Sequence, residues 1–114
     1  MTIRVLAIDD SRTIRTMLHQ ALTEAGMDCD LAEDGMEGIA RFRASPPDLV
    51  ITDINMPKLD GYGVITSIRG GDDHKRVPIL VLTTESSPHL KARAREAGAT
   101  GWIVKPFDDA AIVA

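Results

Sequence analysis

The chain has 114 residues, 44% of them hydrophobic, with a formal net charge of −4. That length fits one domain able to bury a core without staples, and the composition excludes global disorder. The acidic balance argues against nucleic acid as a partner, and the single cysteine, Cys29, excludes an internal disulfide and a cysteine-rich zinc site.

The start of the chain, Met1 to Asp10, turns acidic where a signal peptide stays apolar, and no apolar run approaches the length that spans a bilayer. Arg4 to Ile8 reads as a buried strand. Ile14, Met17, Leu18, Ala21, Leu22 and Ala25 then follow helical spacing, with Gly26 as the stop. Asp28 to Ala32 is a weak, polar strand, in which Cys29 reads as a small apolar residue. Met36, Ile39 and Ala40 begin a second helix that must end before Pro46 and Pro47. Asp48 to Thr52 is an apolar strand. Tyr62, Ile65 and Ile68 predict a third helix, closed by Gly70 and Gly71, and Asp72 to Arg76 a charged loop. Val77 to Thr83 is the strongest strand. Pro88 to Ala97 is a fourth helix with Leu90, Ala94 and Ala97 on one face. Thr100 to Val104 is a fifth strand, and Asp108 or Asp109 starts a fifth helix.

Alternating strands and helices predict a doubly wound α/β fold: a five-stranded parallel sheet with helices on both faces. Continuous apolar runs belong at the centre of such a sheet, and the polar second strand fits an edge. The expected order is 2-1-3-4-5, and sites form beside the switch point at the carboxyl ends of strands.

Those ends carry chemistry. Asp9 and Asp10 follow the first strand, Asp53 the third, Thr83 and Thr84 the fourth, and Lys105 the fifth. Crowded carboxylates repel one another unless a cation is present, and a few oxygen ligands suit Mg²⁺. A carboxylate beside Mg²⁺ can attack phosphorus to form an aspartyl phosphate, whose oxygens an ammonium and a hydroxyl can hold. Taken singly, each group has an ordinary reading: Asp9-Asp10 as a helix cap, Lys105 as a solvated strand end, Trp102 as packing. The basic run Lys91, Arg93, Arg95 reads as a solvated helix face. His19, His74 and His89 lack ligand spacing.

Four motifs in order, Asp9-Asp10-Ser11, Asp53-Ile54-Asn55-Met56-Pro57 with Gly61, Thr83, and Lys105-Pro106-Phe107, resemble the receiver domains of response regulators, most of all the stand-alone chemotaxis regulators of the CheY type. CheY is a known example of the 2-1-3-4-5 order, so strand order and resemblance are not independent. The resemblance implies one receiver domain over residues 1–114. It implies Asp53 as phosphoacceptor, Asp10 as a direct Mg²⁺ ligand, Asp9 as a ligand largely through water, and the Asn55 carbonyl as a further ligand. Lys105 would hold a phosphoryl oxygen, ahead of a cis peptide to Pro106. Thr83 would bind the phosphoryl group and move, with Trp102 as the switch aromatic. Asn55, Thr84 and Glu85 would modulate the rate. The implied phosphodonor is a CheA-like histidine kinase and the implied target a protein such as a flagellar motor switch protein, met by a cytoplasmic monomer with no nucleic-acid or membrane partner.

Three features depart from the common pattern. Thr84 stands where Ala or Gly is usual and narrows the approach to the phosphoryl group. Trp102 replaces Tyr or Phe. Seven residues after Phe107 are too few for a full last helix. Three other readings compete with a stand-alone switch that catalyses only its own phosphorylation and dephosphorylation, and the intact acid pair, Asp53, Thr83 and Lys105 argue against the first, a structural receiver that never carries phosphate. Another is a module cut from a larger regulator or hybrid kinase. The last is a haloacid-dehalogenase-like phosphatase, which needs a second acid where Asn55 stands.

Overall fold

A computed structural model describes residues 2–56, 58–70, 77–83 and 87–104. In chain order they form β1 (Arg4–Ile8), α1 (Arg12–Glu24), β2 (Asp28–Ala32), α2 (Gly35–Ala44), β3 (Leu49–Thr52), α3 (Gly61–Arg69), β4 (Ile79–Thr83), α4 (Pro88–Ala97) and β5 (Gly101–Val104). All four strand pairs are parallel, in the order β2-β1-β3-β4-β5. The polar strand β2 is indeed an edge. The fifth helix expected from Asp108 or Asp109 lies outside the described residues.

Alternation along each strand divides the core into two layers. Leu6, Ile8, Val50, Ile79 and Val81 face α2, α3 and α4 through Ile39, Phe42, Val64, Ile65, Ile68 and Ala94. Val5, Ala7, Ile51 and Leu82 face α1 through Leu18 and Leu22. Two positions of the α1 pattern, Met17 and Ala25, are exposed, so the buried stripe is narrower than the periodicity implied. Cys29 packs half-buried beside the α1 layer; burial, and then the neighbouring Asp30, push its thiol up to about 11, which keeps it an inert apolar residue.

Local chemistry accounts for the element boundaries. The Ser11, Asp34 and Asp60 side chains cap α1, α2 and α3 by accepting from the N–H groups of Ile14, Glu37 and Gly63. Sequence periodicity placed the starts of β1 and β2 correctly and those of β3, β4 and β5 one or two residues early. Asp48 donates its N–H to the Arg4 carbonyl, yet β3 begins at Leu49. Pro78 has no N–H to give, so β4 begins at Ile79 rather than Val77. Thr100 donates its N–H to the Ile79 carbonyl at 2.7 Å and accepts the Ile79 N–H on Oγ1 at 3.0 Å, just ahead of β5.

Candidate phosphoryl and metal site

The carboxyl ends of β1 and β3 lie side by side, with Ile8 paired to Thr52. Each strand extends one more bond into an aspartate: Asp9 N–H donates to the Ala32 carbonyl at 3.1 Å, and Asp53 N–H to the Ile8 carbonyl at 2.9 Å. These ladders hold Asp9 and Asp53 at the carboxyl end of the sheet, 1% and 7% exposed, a burial that acids rarely reach unless paired. Asp10, one residue on, is exposed. Carboxylate oxygens of Asp9, Asp10 and Asp53 all lie within 4.8 Å of one another.

The surroundings orient two of these acids. Asp9 Oδ1 accepts the Ser11 N–H at 2.9 Å, and Asp53 Oδ1 accepts the Ile54 N–H at 2.7 Å. Arg15 donates a guanidinium N–H to the Asp9 carbonyl at 2.7 Å, and Thr52 Oγ1 donates to the Asp53 carbonyl at 2.9 Å. The loop after β3 turns tightly back. Gly61 N–H donates to the Ile54 carbonyl at 2.8 Å, and a Cβ at Gly61 would lie 2.2 Å from the Asp53 carbonyl oxygen. Only glycine fits there.

Two like charges at such a separation repel by roughly 3–4 kcal/mol at an effective dielectric of about 20. A set of hard oxygen donors, two of them buried, fits a divalent cation of the Mg²⁺ kind. Asn55, the candidate carbonyl ligand, is exposed on the same loop. Thr83 ends β4, buried at 1% exposure and paired with Val104. Trp102 pairs with Val81, so it shares a sheet face with Thr83. It is half-buried and, with Lys91, Ala94 and Arg95 of α4, lines a cavity of about 70 Å³. Lys105, Pro106, Thr84 and Glu85 lie outside the described residues.

The sequence matches the response regulator receiver domain family over residues 5–114. The chain belongs to that family. This receiver domain is 39% identical over 108 residues to Response regulator MprA of Mycobacterium tuberculosis, covering 94% of this chain and 46% of MprA. It thus spans about half the length of the curated relatives it matches. Its fold superposes on the chemotaxis protein CheY4 of Vibrio cholerae with a TM-score of 0.94, at 40% identity, covering 99% of this chain and 94% of that one. It also superposes on the receiver domain of sensor histidine kinase PA1611 from Pseudomonas aeruginosa PAO1, whose structure has magnesium coordinated in the active-site cleft. There the TM-score is 0.90 at 26% identity, covering 98% of this chain and 92% of that one. Receiver domains are signalling modules that take a phosphoryl group from histidine kinases and bind Mg²⁺ in their acidic pocket.

Several contributors to the site had no mark in the sequence. Arg15 is one helical position among many, and the 3.5 Å ion pair of Asp34 with Lys58, a residue of the loop that carries Asn55, joins positions 24 apart. No described helix is long and apolar enough to cross a membrane.

Proposed function

We propose that this receiver domain accepts a phosphoryl group on Asp53 from a histidine kinase and so switches a protein-binding surface. The observation that carries the reading is the clustering of Asp9, Asp10 and Asp53 at the carboxyl ends of β1 and β3. Asp9, Asp10, Asp53 and the Asn55 carbonyl would hold Mg²⁺, which supplies the countercharge that lets carboxylates and phosphoryl oxygens share one site. An Asp53 oxygen forms the bond to phosphorus while the phosphorus–nitrogen bond of the donor's phosphohistidine breaks. The electron pair stays on the imidazole nitrogen, which then takes up a proton. The Thr83 hydroxyl and the Lys105 ammonium hold the transferred oxygens, and the dipole of the Ile54 N–H keeps the Asp53 carboxylate aimed.

Thr83 moving towards the phosphoryl group would alter the face that Trp102 shares with it, and the surface of α4 and β5 would change with it. Asn55, Thr84 and Glu85 would set how fast donors and water reach the phosphorus. Residues 1–114 would act as one cytoplasmic, monomeric receiver domain that turns over no other substrate. The test is incubation with Mg²⁺ and a panel of autophosphorylated kinases. Transfer must be fast from one of them, abolished by chelation and absent in Asp53→Ala. No transfer from any donor, or turnover of a phosphate monoester, would overturn the reading.

A chemotaxis output is supported by the likeness to CheY4, which this chain matches over nearly its full length. A second reading, a receiver module within a larger regulator, is favoured by the MprA relatives, of which the chain spans 46%. Phosphorylation-dependent binding to a flagellar motor switch protein, with a CheA-like kinase as donor, separates the two.

A further inference from the structure

Between β3 and α3 lies a loop whose described residues are 53–56 and 58–60, Asn55 among them. Near Asp53 its path is set by the Ile54 and Gly61 hydrogen bonds. Its far half rests on the start of α2. A Cβ on Gly35 would lie 2.1 Å from the Leu59 carbonyl oxygen, so the loop backbone is pressed against the helix.

Lys58 sits between these anchors with φ at +69°, the one non-glycine residue in the left-handed region among the described residues. A lysine gains nothing locally from that conformation, which persists only where its surroundings over-determine it. Its ammonium lies 3.5 Å from Asp34 Oδ2. The Asp34 side chain is only 8% exposed, and its other oxygen accepts the Glu37 N–H at 2.8 Å to cap α2. One carboxylate therefore caps a helix and holds the lysine of the loop.

We propose that the Lys58–Asp34 pair is a positioning clamp that fixes the loop carrying the Asn55 carbonyl and thereby tunes Mg²⁺ affinity. Neither residue touches the metal or the phosphoryl group. The proposal rests on Asp9, Asp10 and Asp53 being the metal site.

The test uses Lys58→Met, Asp34→Asn, their double variant and Lys58→Arg. Asparagine is as good a helix cap as aspartate, so Asp34→Asn removes the charge and keeps α2. The first arm follows amide hydrogen exchange of Ile54, Asn55, Met56 and Leu59 in metal-free protein, with α1 as internal reference. Each single variant should speed loop exchange about threefold, the scale of a partly exposed ion pair. The double variant should add nothing further, and Lys58→Arg should lie near wild type. The second arm titrates Mg²⁺ by calorimetry, where the same variants should bind about threefold more weakly. Unchanged loop exchange, or additive effects in the double variant, would overturn the clamp. Faster exchange with unaltered Mg²⁺ affinity would overturn its positioning role. A wild type that takes up no Mg²⁺ counts against the metal site itself, and the first arm then decides the clamp alone.

Discussion

Helices α1 and α4 cover opposite faces of the same sheet and are held in different ways. Leu18, Ala21 and Leu22 of α1 are buried, and its first turn is capped by the Ser11 side chain. Of α4 only Ala94 is buried, and Ser87 makes no side-chain cap bond. Two further ties reach Tyr62 of α3: the Tyr62 hydroxyl donates to the Leu90 carbonyl at 3.3 Å, and the Arg93 guanidinium lies 3.9 Å over the Tyr62 ring. Such contacts make and break at small cost, whereas a buried leucine pair does not. The α1 side is built as a fixed frame for Asp9 and Asp10. The α4 side, which holds Trp102 and shares the layer of Thr83, is held by fewer buried side chains.

Stability should show this asymmetry most strongly. Leu22→Ala should cost about 3 kcal/mol, within the usual range for a fully buried leucine. Leu90→Ala on α4 should cost under about 1 kcal/mol. Urea unfolding measures both, and equal losses would erase the distinction between the helices.

Metal should act on the α1 side. A ligand that binds only the folded state stabilises by about 2.7 kcal/mol at a hundred times its Kd. Wild type should gain roughly that much in saturating Mg²⁺, and Asp10→Ala little. Without metal, Asp53→Asn should be the more stable protein, because it deletes one of three mutually repelling charges. Thermal melts with and without chelator decide both points.

A smaller contrast lies in the caps. Ser11→Ala should cost about 1 kcal/mol, since its hydroxyl accepts the Ile14 N–H. Ser87→Ala should be near neutral, because no such bond exists there.

Smallest in energy is the response of Trp102. As the only tryptophan, it reports on the α4 side alone. A phosphoryl mimic with Mg²⁺ should change its acrylamide quenching, and Thr83→Ala should uncouple that change. Identical quenching with and without the mimic would remove Trp102 from the switch and leave Thr83 and its neighbouring backbone to carry it.

The edge position of β2 could be read from the chain because its polar run, Asp28-Cys29-Asp30, does not suit the centre of a parallel sheet, whereas the full strand order was not independent of the family resemblance. The acids could be read because each follows directly on an apolar run, and a parallel sheet brings such positions to one edge. Other features have no periodic trace. Arg69 donates to the carbonyls of Val77 at 2.6 Å and Gly98 at 2.9 Å, tying α3 to turns distant in sequence. Burial lowers the pKa of its guanidinium, as expected for a cation used as a structural tie. Lys58 adopts a glycine-like backbone that its residue type does not advertise. Met17 and Met36 fit a helical stripe yet are 42% and 57% exposed, because the sheet covers less of each helix than the periodicity marks out. Pairings of this kind depend on where elements meet, which no local pattern encodes.

The central claim is that Asp53 carries the phosphoryl group. After phosphorylation in Mg²⁺, borohydride reduction converts an aspartyl phosphate to homoserine, and peptide mapping locates it. Homoserine is expected at position 53 alone, absent after chelation and absent in Asp53→Asn. Homoserine at another aspartate of the wild type, or equal phosphoryl uptake by Asp53→Asn, would contradict it.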